Sequence, residues 1–141
     1  MAKEHGIEIF THTEPGYATL MRYGAWRVAV LNNNEHTTPE GIPHLQKHDL
    51  TDEVFVLLEG RCVLLSAGTD SLPGAIGAVV LEPGKVYNVP RGTWHSHVLE
   101  PGTSVLIVEN EDTDDANSPI AALTQAQRAQ IATLCAAALA K

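Results

Sequence analysis

The feature that most constrains the fold of this chain is a succession of short β-rich runs, broken by turns, between Ile7 and Asn110. Nine runs are predicted as strands: residues 7–10, 19–23, 26–31, 53–58, 61–66, 78–81, 86–89, 94–99 and 104–108. Many short strands separated by turn signals are typical of a sandwich or a barrel. We therefore expect an all-β domain over residues 1–110.

Three Glu-Pro-Gly tripeptides mark turns between these runs, and they end at Gly16, Gly84 and Gly102. Proline fixes φ at about −65°, and glycine accepts the positive φ that a type II turn requires at its third position. Gly24 and Gly60 are expected to supply two further tight reversals. The turn residues thus agree with the strand pattern.

Beyond Asn110 the composition changes. Residues 111–118 are acidic and polar, and we interpret them as a linker. Residues 119–141 are rich in alanine and predict a helical tail of the same domain, with Thr124 and Gln127 spaced as a capping box. Its apolar face contains Ile131, Leu134, Cys135, Ala138 and Leu139. We expect this face to pack on a sheet of its own chain or on a second subunit.

The length and the net charge of the chain limit the number of domains and the classes of partner that we expect. A chain of 141 residues can bury one core, so we expect a single domain. The net charge of −8 makes nucleic acid and anionic membrane surfaces poor partners. The first residues lack the apolar stretch of a secretory signal, and we expect a cytoplasmic protein. Cys62 and Cys135 fit neither a disulfide framework nor a zinc knuckle, and we interpret both as core residues.

The run 53–58 is apolar on both faces after its first residue, whereas a sheet with one wet face alternates. Its outer face must therefore be covered, either by the helical tail or by a partner chain. An isologous homodimer is the commonest arrangement of the second kind, and we expect one.

Histidines and one glutamate concentrate at two separate places. The first holds His44, His48 and Glu53, and the second holds His95 and His97. In an extended chain, residues two apart share a face, so each group can direct its histidines to one side. Imidazoles and a carboxylate are costly to bury together without a compensating cation. The pattern therefore predicts a site for a divalent transition metal.

Both places lie in stretches that resemble the two motifs of the cupins. The run from His48 through Glu53 to Gly60 resembles the first motif, in which a His-x-His pair is followed by Glu and then Gly. The run from Gly84 to His95 resembles the second, in which Gly, Pro, Gly and His follow at fixed spacing. The chain is thus similar to the small single-domain cupins.

The resemblance implies a double-stranded β-helix, or jelly-roll barrel, that holds one metal ion inside, here with a C-terminal α-helix. Matched residue by residue, it assigns His48, Glu53 and His95 as metal ligands. Gln46 stands where the family's first histidine is expected, so the fourth ligand is open: Gln46, His44, His97 or water. His97 is equally open as a ligand, as a hydrogen-bond donor to a ligand or as a general base, and we take it as the candidate catalytic residue.

Two imidazoles and a carboxylate without a thiolate suit Fe, Mn, Ni, Co or Zn and leave positions free for a small-molecule substrate. The resemblance implies either dioxygenase-like or isomerase/epimerase-like chemistry, with the first slightly favoured. The alternative is a non-catalytic binding or sensor cupin, because Gln46 replaces a motif histidine. The substrate does not follow from the sequence.

Overall fold

The computed structural model describes residues 1–140, and most of its regular structure is β. The strands are β1 (Ala2–Glu4), β2 (Ile7–Ile9), β3 (Gly16–Tyr23), β4 (Trp26–Asn32), β5 (Leu45–Gln46), β6 (Glu53–Glu59), β7 (Cys62–Ser66), β8 (Gly77–Val80), β9 (Tyr87–Val89), β10 (His95–Leu99), β11 (Ser104–Asn110) and β12 (Ile120–Ala121). A short 3-10 helix covers Asp115–Asn117, and the α-helix α1 covers Gln125–Leu139. All nine predicted runs contain a strand.

Ten of the strands form two five-stranded sheets. The first sheet has the order β3-β4-β11-β6-β9, and the second has the order β12-β5-β10-β7-β8. Neighbouring strands are antiparallel throughout. Within residues 1–140 no strand of one sheet pairs with a strand of the other, so the jelly roll is a sandwich and not a closed barrel. This confirms the predicted all-β jelly roll with a C-terminal helix.

The main core lies between the two sheets. Alternate residues of β6 and β11 are buried, because successive side chains of a strand point to opposite faces. The buried cluster consists of Ala29, Leu31, Phe55, Leu57, Cys62, Leu64, Leu81, Leu99, Val105 and Ile107. This core fills one end of the sandwich, and polar residues of the same strands fill the other.

The helix α1 packs on the outer face of the second sheet. Ile131 and Cys135 join a buried cluster with Val63, Leu65 and Val98 from β7 and β10. Of the two alternatives for the tail, packing on its own chain is therefore the one found.

Both ends of α1 are tied down. The capping box of Thr124 and Gln127 is present at its start. At its end, Arg61 donates hydrogen bonds to the carbonyls of Ala138 and Leu139, at 3.3 and 2.8 Å. Among residues 1–140, no helix has the length and hydropathy that a membrane span requires.

The outer face of the first sheet is not covered by α1. Val54 and Val56 on this face are half-buried, and Leu58 is 55% exposed. Register places Leu106 between Val30 and Val56; Val30 is buried, and Leu106 and Val56 are half-buried, so the accessible aliphatic surface lies on β11 and β6. Of the two alternatives for covering β6, the helical tail is therefore not the one found, because α1 packs on β7 and β10.

The turns follow the sequence pattern. Gly16, Gly84 and Gly102 have φ values of 89°, 81° and 79°, as the three Glu-Pro-Gly tripeptides predict. Gly60 also has a positive φ, of 81°, and it lies against Thr103 of the neighbouring turn. The reversals are thus made by residues for which this conformation costs little.

Candidate metal centre

Three predicted ligands meet at the polar end of the sandwich. Glu53 begins β6, His95 begins β10, and His48 follows β5. Each offers one ligand atom, and these atoms lie within 4.8 Å of one another. The three side chains are buried. Alternate side chains of β6 and β10 point into the space between the sheets, and Glu53 and His95 occupy such positions.

Both imidazoles present Nε2 to the same carboxylate oxygen. Oε1 of Glu53 lies 2.8 Å from Nε2 of His95 and 3.3 Å from Nε2 of His48. The other ring nitrogens are held from behind: Nδ1 of His95 donates to the carbonyl of Thr93 at 2.9 Å, and Nδ1 of His48 lies 2.7 Å from Oγ of Ser118. Each ring is therefore fixed with Nε2 toward the centre.

The electrostatics of the group call for a cation. Burial favours the neutral carboxyl, yet the hydrogen bonds from His48 and His95 hold the pKa of Glu53 well below its usual range. Burial opposes a charge on His95 as well, but its hydrogen bond to Glu53 and the charge of that group raise the pKa of His95. Glu53 and His95 thus share a proton in a buried position, where a divalent cation would also balance the negative charge. The donor set therefore fits a transition metal.

The remaining candidates lie nearby but outside this group. Gln46 lines the same cavity, and its side-chain Nε2 donates to the carbonyl of Ser118 at 3.2 Å. His44 lines a smaller adjoining cavity of about 190 Å³. His97 follows His95 on the same face of β10 and lines both cavities. Burial lowers the pKa of His97 to about 4, against the opposing charge of Glu53.

The cavity beside the three ligands measures about 320 Å³ and has a second wall that the sequence analysis missed. Tyr17, Arg27 and Glu109 line it from β3, β4 and β11. Glu109 follows the buried Val105 and Ile107 at a spacing of two, so it occupies an inward position of its strand. Carboxylates are rarely buried at inward positions of a strand, so Glu109 is a candidate functional residue that the alternation of β11 could have revealed.

Glu109 is anchored through one of its two oxygens. Oε1 accepts hydrogen bonds from the hydroxyl of Tyr17 at 2.8 Å and from the guanidinium of Arg27 at 2.7 Å. Burial, followed by its contact with Glu53 on the adjacent strand, raises the pKa of Glu109 to about 7. Two carboxyl groups thus face each other next to the histidines.

The segment interpreted as a linker forms the last wall. Asp114 caps the 3-10 helix, and Ile120 of β12 pairs with Gln46 of β5. Four residues of this segment line the cavity: Thr113, Asp114, Asp115 and Ser118. The backbone pairing of β12 with β5 therefore brings the hydroxyl of Ser118 to the ring of His48.

Comparisons with known proteins concern the fold. No protein-family model matches the chain, and no curated protein matches it in sequence. Among solved structures, hydroquinone 1,2-dioxygenase from Sphingomonas sp. TTNP3 with 4-hydroxybenzoate bound is similar at a TM-score of 0.58 and 13% identity, over 79% of this chain and 85% of that one.

Two further structures are similar. The nucleoside dehydratase Pac13 from Streptomyces, with uridine, has a TM-score of 0.57 and 11% identity, over 89% of this chain and 95% of that one. A cupin-2 domain protein from Shewanella frigidimarina has a TM-score of 0.51 and 16% identity, over 72% of this chain and 85% of that one. The likeness predicted from the two motifs is confirmed at the level of the fold: this chain has the fold of the small cupins.

Proposed function

We propose that this chain is a small-molecule metalloenzyme of the cupin type that holds one divalent transition metal, Fe, Mn, Ni, Co or Zn. The observation that carries the proposal is the buried group of His48, Glu53 and His95, with both Nε2 atoms turned to one carboxylate oxygen. When bound, such an ion supplies Lewis acidity or, as Fe(II), the means to activate dioxygen.

Dioxygenase-like chemistry is our first candidate. Two histidines and one carboxylate with open positions are the donor set of many non-haem Fe(II) oxygenases. The cavity of about 320 Å³ adjoins this group and suits a single-ring substrate. The similarity to a hydroquinone dioxygenase supports this choice through the fold alone.

Isomerase-, epimerase- or dehydratase-like chemistry is the second candidate, because groups that handle protons surround the cavity. His97 is neutral at neutral pH and is proposed as a proton acceptor. Glu109 titrates near neutrality, and the hydroxyl of Tyr17 donates to it. Structures with the same fold include a 3,4-ketoisomerase and a nucleoside dehydratase.

A non-catalytic binding or sensor protein is the alternative function. It would follow if Gln46, in place of a motif histidine, leaves the metal too weakly held. Of the residues open as a fourth ligand, Gln46 and His97 line the main cavity, and His44 lines the adjoining one.

Metal content per chain tests the proposal. Protein is purified without a histidine tag or chelator from medium supplemented with several transition metals and is measured by elemental mass spectrometry. Nearly one ion per chain is expected. Bound iron favours dioxygenase-like chemistry, which oxygen uptake with small phenols then tests. Any of the other ions favours the second candidate, which isomerase and dehydratase assays test. Failure to bind any ion after reconstitution overturns the proposal in favour of the binding protein.

We also propose a homodimer formed through the outer face of the first sheet. The support is the half-buried aliphatic surface of β6 and β11, which contains Val54, Val56 and Leu106, and the N-terminal hairpin of β1 and β2, whose residues are exposed throughout. An isolated two-stranded hairpin is at best marginally stable in water, so it gains from a partner. Light scattering is expected to give twice the chain mass, and a monomer would contradict this.

The cytoplasmic location stays a prediction.

A further inference from the structure

Buried polar atoms without a partner are concentrated in one place. In residues 1–140, four buried side-chain atoms lack a hydrogen-bond partner: Nδ1 of His97, Oε2 of Glu109, Oε2 of Glu111 and Oγ1 of Thr113. Three of these four residues, His97, Glu109 and Thr113, line the cavity beside the metal ligands. Burying such an atom unpaired is costly, so a cluster of them indicates that something else binds there.

Glu109 and Thr113 differ from the metal ligands in their placement. Glu109 is 6% exposed and Thr113 is 8% exposed, but neither belongs to the group whose atoms lie within 4.8 Å of one another. Tyr17 and Arg27 donate hydrogen bonds to Oε1 of Glu109 and thereby anchor that oxygen. The second oxygen, Oε2, has no donor among the described side chains, and the carboxyl group also lies against Glu53. The pair is therefore an anchored acceptor and a hydroxyl on the wall of the cavity.

The charges on the wall restrict what these atoms can receive. Glu53, Glu109, Asp114 and Asp115 contribute carboxylates to the cavity, and Arg27 is the one Lys or Arg side chain that lines it. The guanidinium of Arg27 is already paired with Glu109 and with the carbonyl of Glu111. In the cavity without a metal ion, a carboxylate or phosphate would meet like charges and no free cationic side chain, whereas an ion at Glu53 would itself attract an anion.

We propose that Glu109 and Thr113 are the residues that recognise the small-molecule ligand, and that this ligand is uncharged or cationic and presents a hydroxyl or ammonium donor to them. The inference deepens the proposed function, since it assigns the substrate class of the same cavity. The charge preference is argued for the cavity without a metal ion, because a bound cation adds its own attraction for an anion.

Three probes of nearly equal size test it. They are 4-(hydroxymethyl)phenol, 4-(aminomethyl)phenol and 4-hydroxybenzoate, which differ in a neutral, a cationic and an anionic substituent. Each is titrated into ¹⁵N-labelled protein at pH 7.5, in zinc-loaded and in chelator-treated samples, and amide shifts give the dissociation constants. In the chelator-treated sample we expect the neutral and cationic probes to bind at least about tenfold more tightly than the carboxylate, and the zinc-loaded sample shows how much a bound ion reduces that preference.

Two isosteric variants assign the effect to these residues. Thr113→Val and Glu109→Gln are each expected to weaken the neutral probe about tenfold, and Glu109→Gln is expected to weaken the ammonium probe more than the neutral one. Glu111→Gln is the matched control, because Glu111 pairs with Arg22 and does not line the cavity. It should leave all three constants unchanged.

The outcomes are distinct from those of the metal test. In the chelator-treated sample, equal or tighter binding of the carboxylate, no binding of any probe, or unchanged constants in both variants overturns the inference. Absence of zinc from a protein that shows the expected probe preference overturns the metal proposal and leaves this inference standing.

Discussion

Nδ1 of His48 lies 2.7 Å from Oγ of Ser118, although the two residues are 70 positions apart in the chain. This contact directs Nε2 of His48 toward Glu53, as the carbonyl of Thr93 does for His95. A ligand ring held in this way loses little freedom when it binds an ion. The residue behind the ligand is therefore part of the site.

The first prediction follows from that contact. Ser118→Ala is expected to weaken zinc binding by about 10- to 100-fold, because the His48 ring loses the partner that orients it. Competition with a chromophoric chelator measures the affinity. Ser71→Ala, in an exposed loop, is the control and should match the wild type. An unchanged affinity in Ser118→Ala would show that packing alone orients the ring.

The second prediction concerns the ligands themselves. His48→Ala and His95→Ala are each expected to remove most of the bound metal while the β-rich circular dichroism spectrum is kept. His44→Ala serves as the comparison, because His44 lines the adjoining cavity and is expected to leave metal content unchanged. Full metal content in both of the first two variants would refute the assignment, and loss in His44→Ala would make that residue a ligand.

The third prediction is a dependence of stability on pH in metal-free protein. Burial lowers the pKa of His97 to about 4, so the unfolded chain binds this proton more readily than the folded chain does. The contribution to stability is complete above pH 6.5 and is lost as the pH falls toward 4. It amounts to about 1 to 3 kcal/mol.

Urea unfolding at pH 7 and pH 4 measures this loss. The wild type is expected to lose more stability over this interval than His97→Gln, which has no imidazole to protonate. The comparison removes the contributions of groups that both proteins share. Equal losses in the two proteins would mean that His97 takes up its proton without cost in the folded state.

The fourth prediction separates two glycines with the same backbone conformation. Gly60 and Gly84 both have a φ of 81°, but a Cβ on Gly60 would lie 2.2 Å from Oγ1 of Thr103, whereas one on Gly84 meets nothing within 4 Å. Gly84→Ala is expected to cost about 1 kcal/mol for the positive φ. Gly60→Ala should cost at least about 2 kcal/mol more, because the contact adds strain. Chemical denaturation provides both values, and equal costs would show that the turn at Thr103 gives way.

The strands and turns were predictable because they depend on local patterns. The three Glu-Pro-Gly tripeptides set the chain reversals, and the two motifs placed His48, Glu53 and His95 together. The short strands β5 and β12 were not predicted, since two residues carry no periodicity.

The second wall of the cavity was missed for a different reason. Glu109 was outside the predicted strand that ended at residue 108, and its partners Tyr17 and Arg27 lie far from it in sequence. Only the pairing of β4 with both β11 and β3 brings them together. Such a constellation depends on strand order and register, which a single sequence leaves open.

The pairing of β12 with β5 also sets an order of events during synthesis. Residues 48, 53 and 95 are made before Ser118 and before the segment that completes the cavity wall. A nascent chain that still lacks β12 therefore has its three ligand side chains without the hydroxyl that orients His48. The proposed metal ion would consequently gain its full binding energy only after the C-terminal part of the chain has left the ribosome, and we expect metal capture to follow folding of the last β segment.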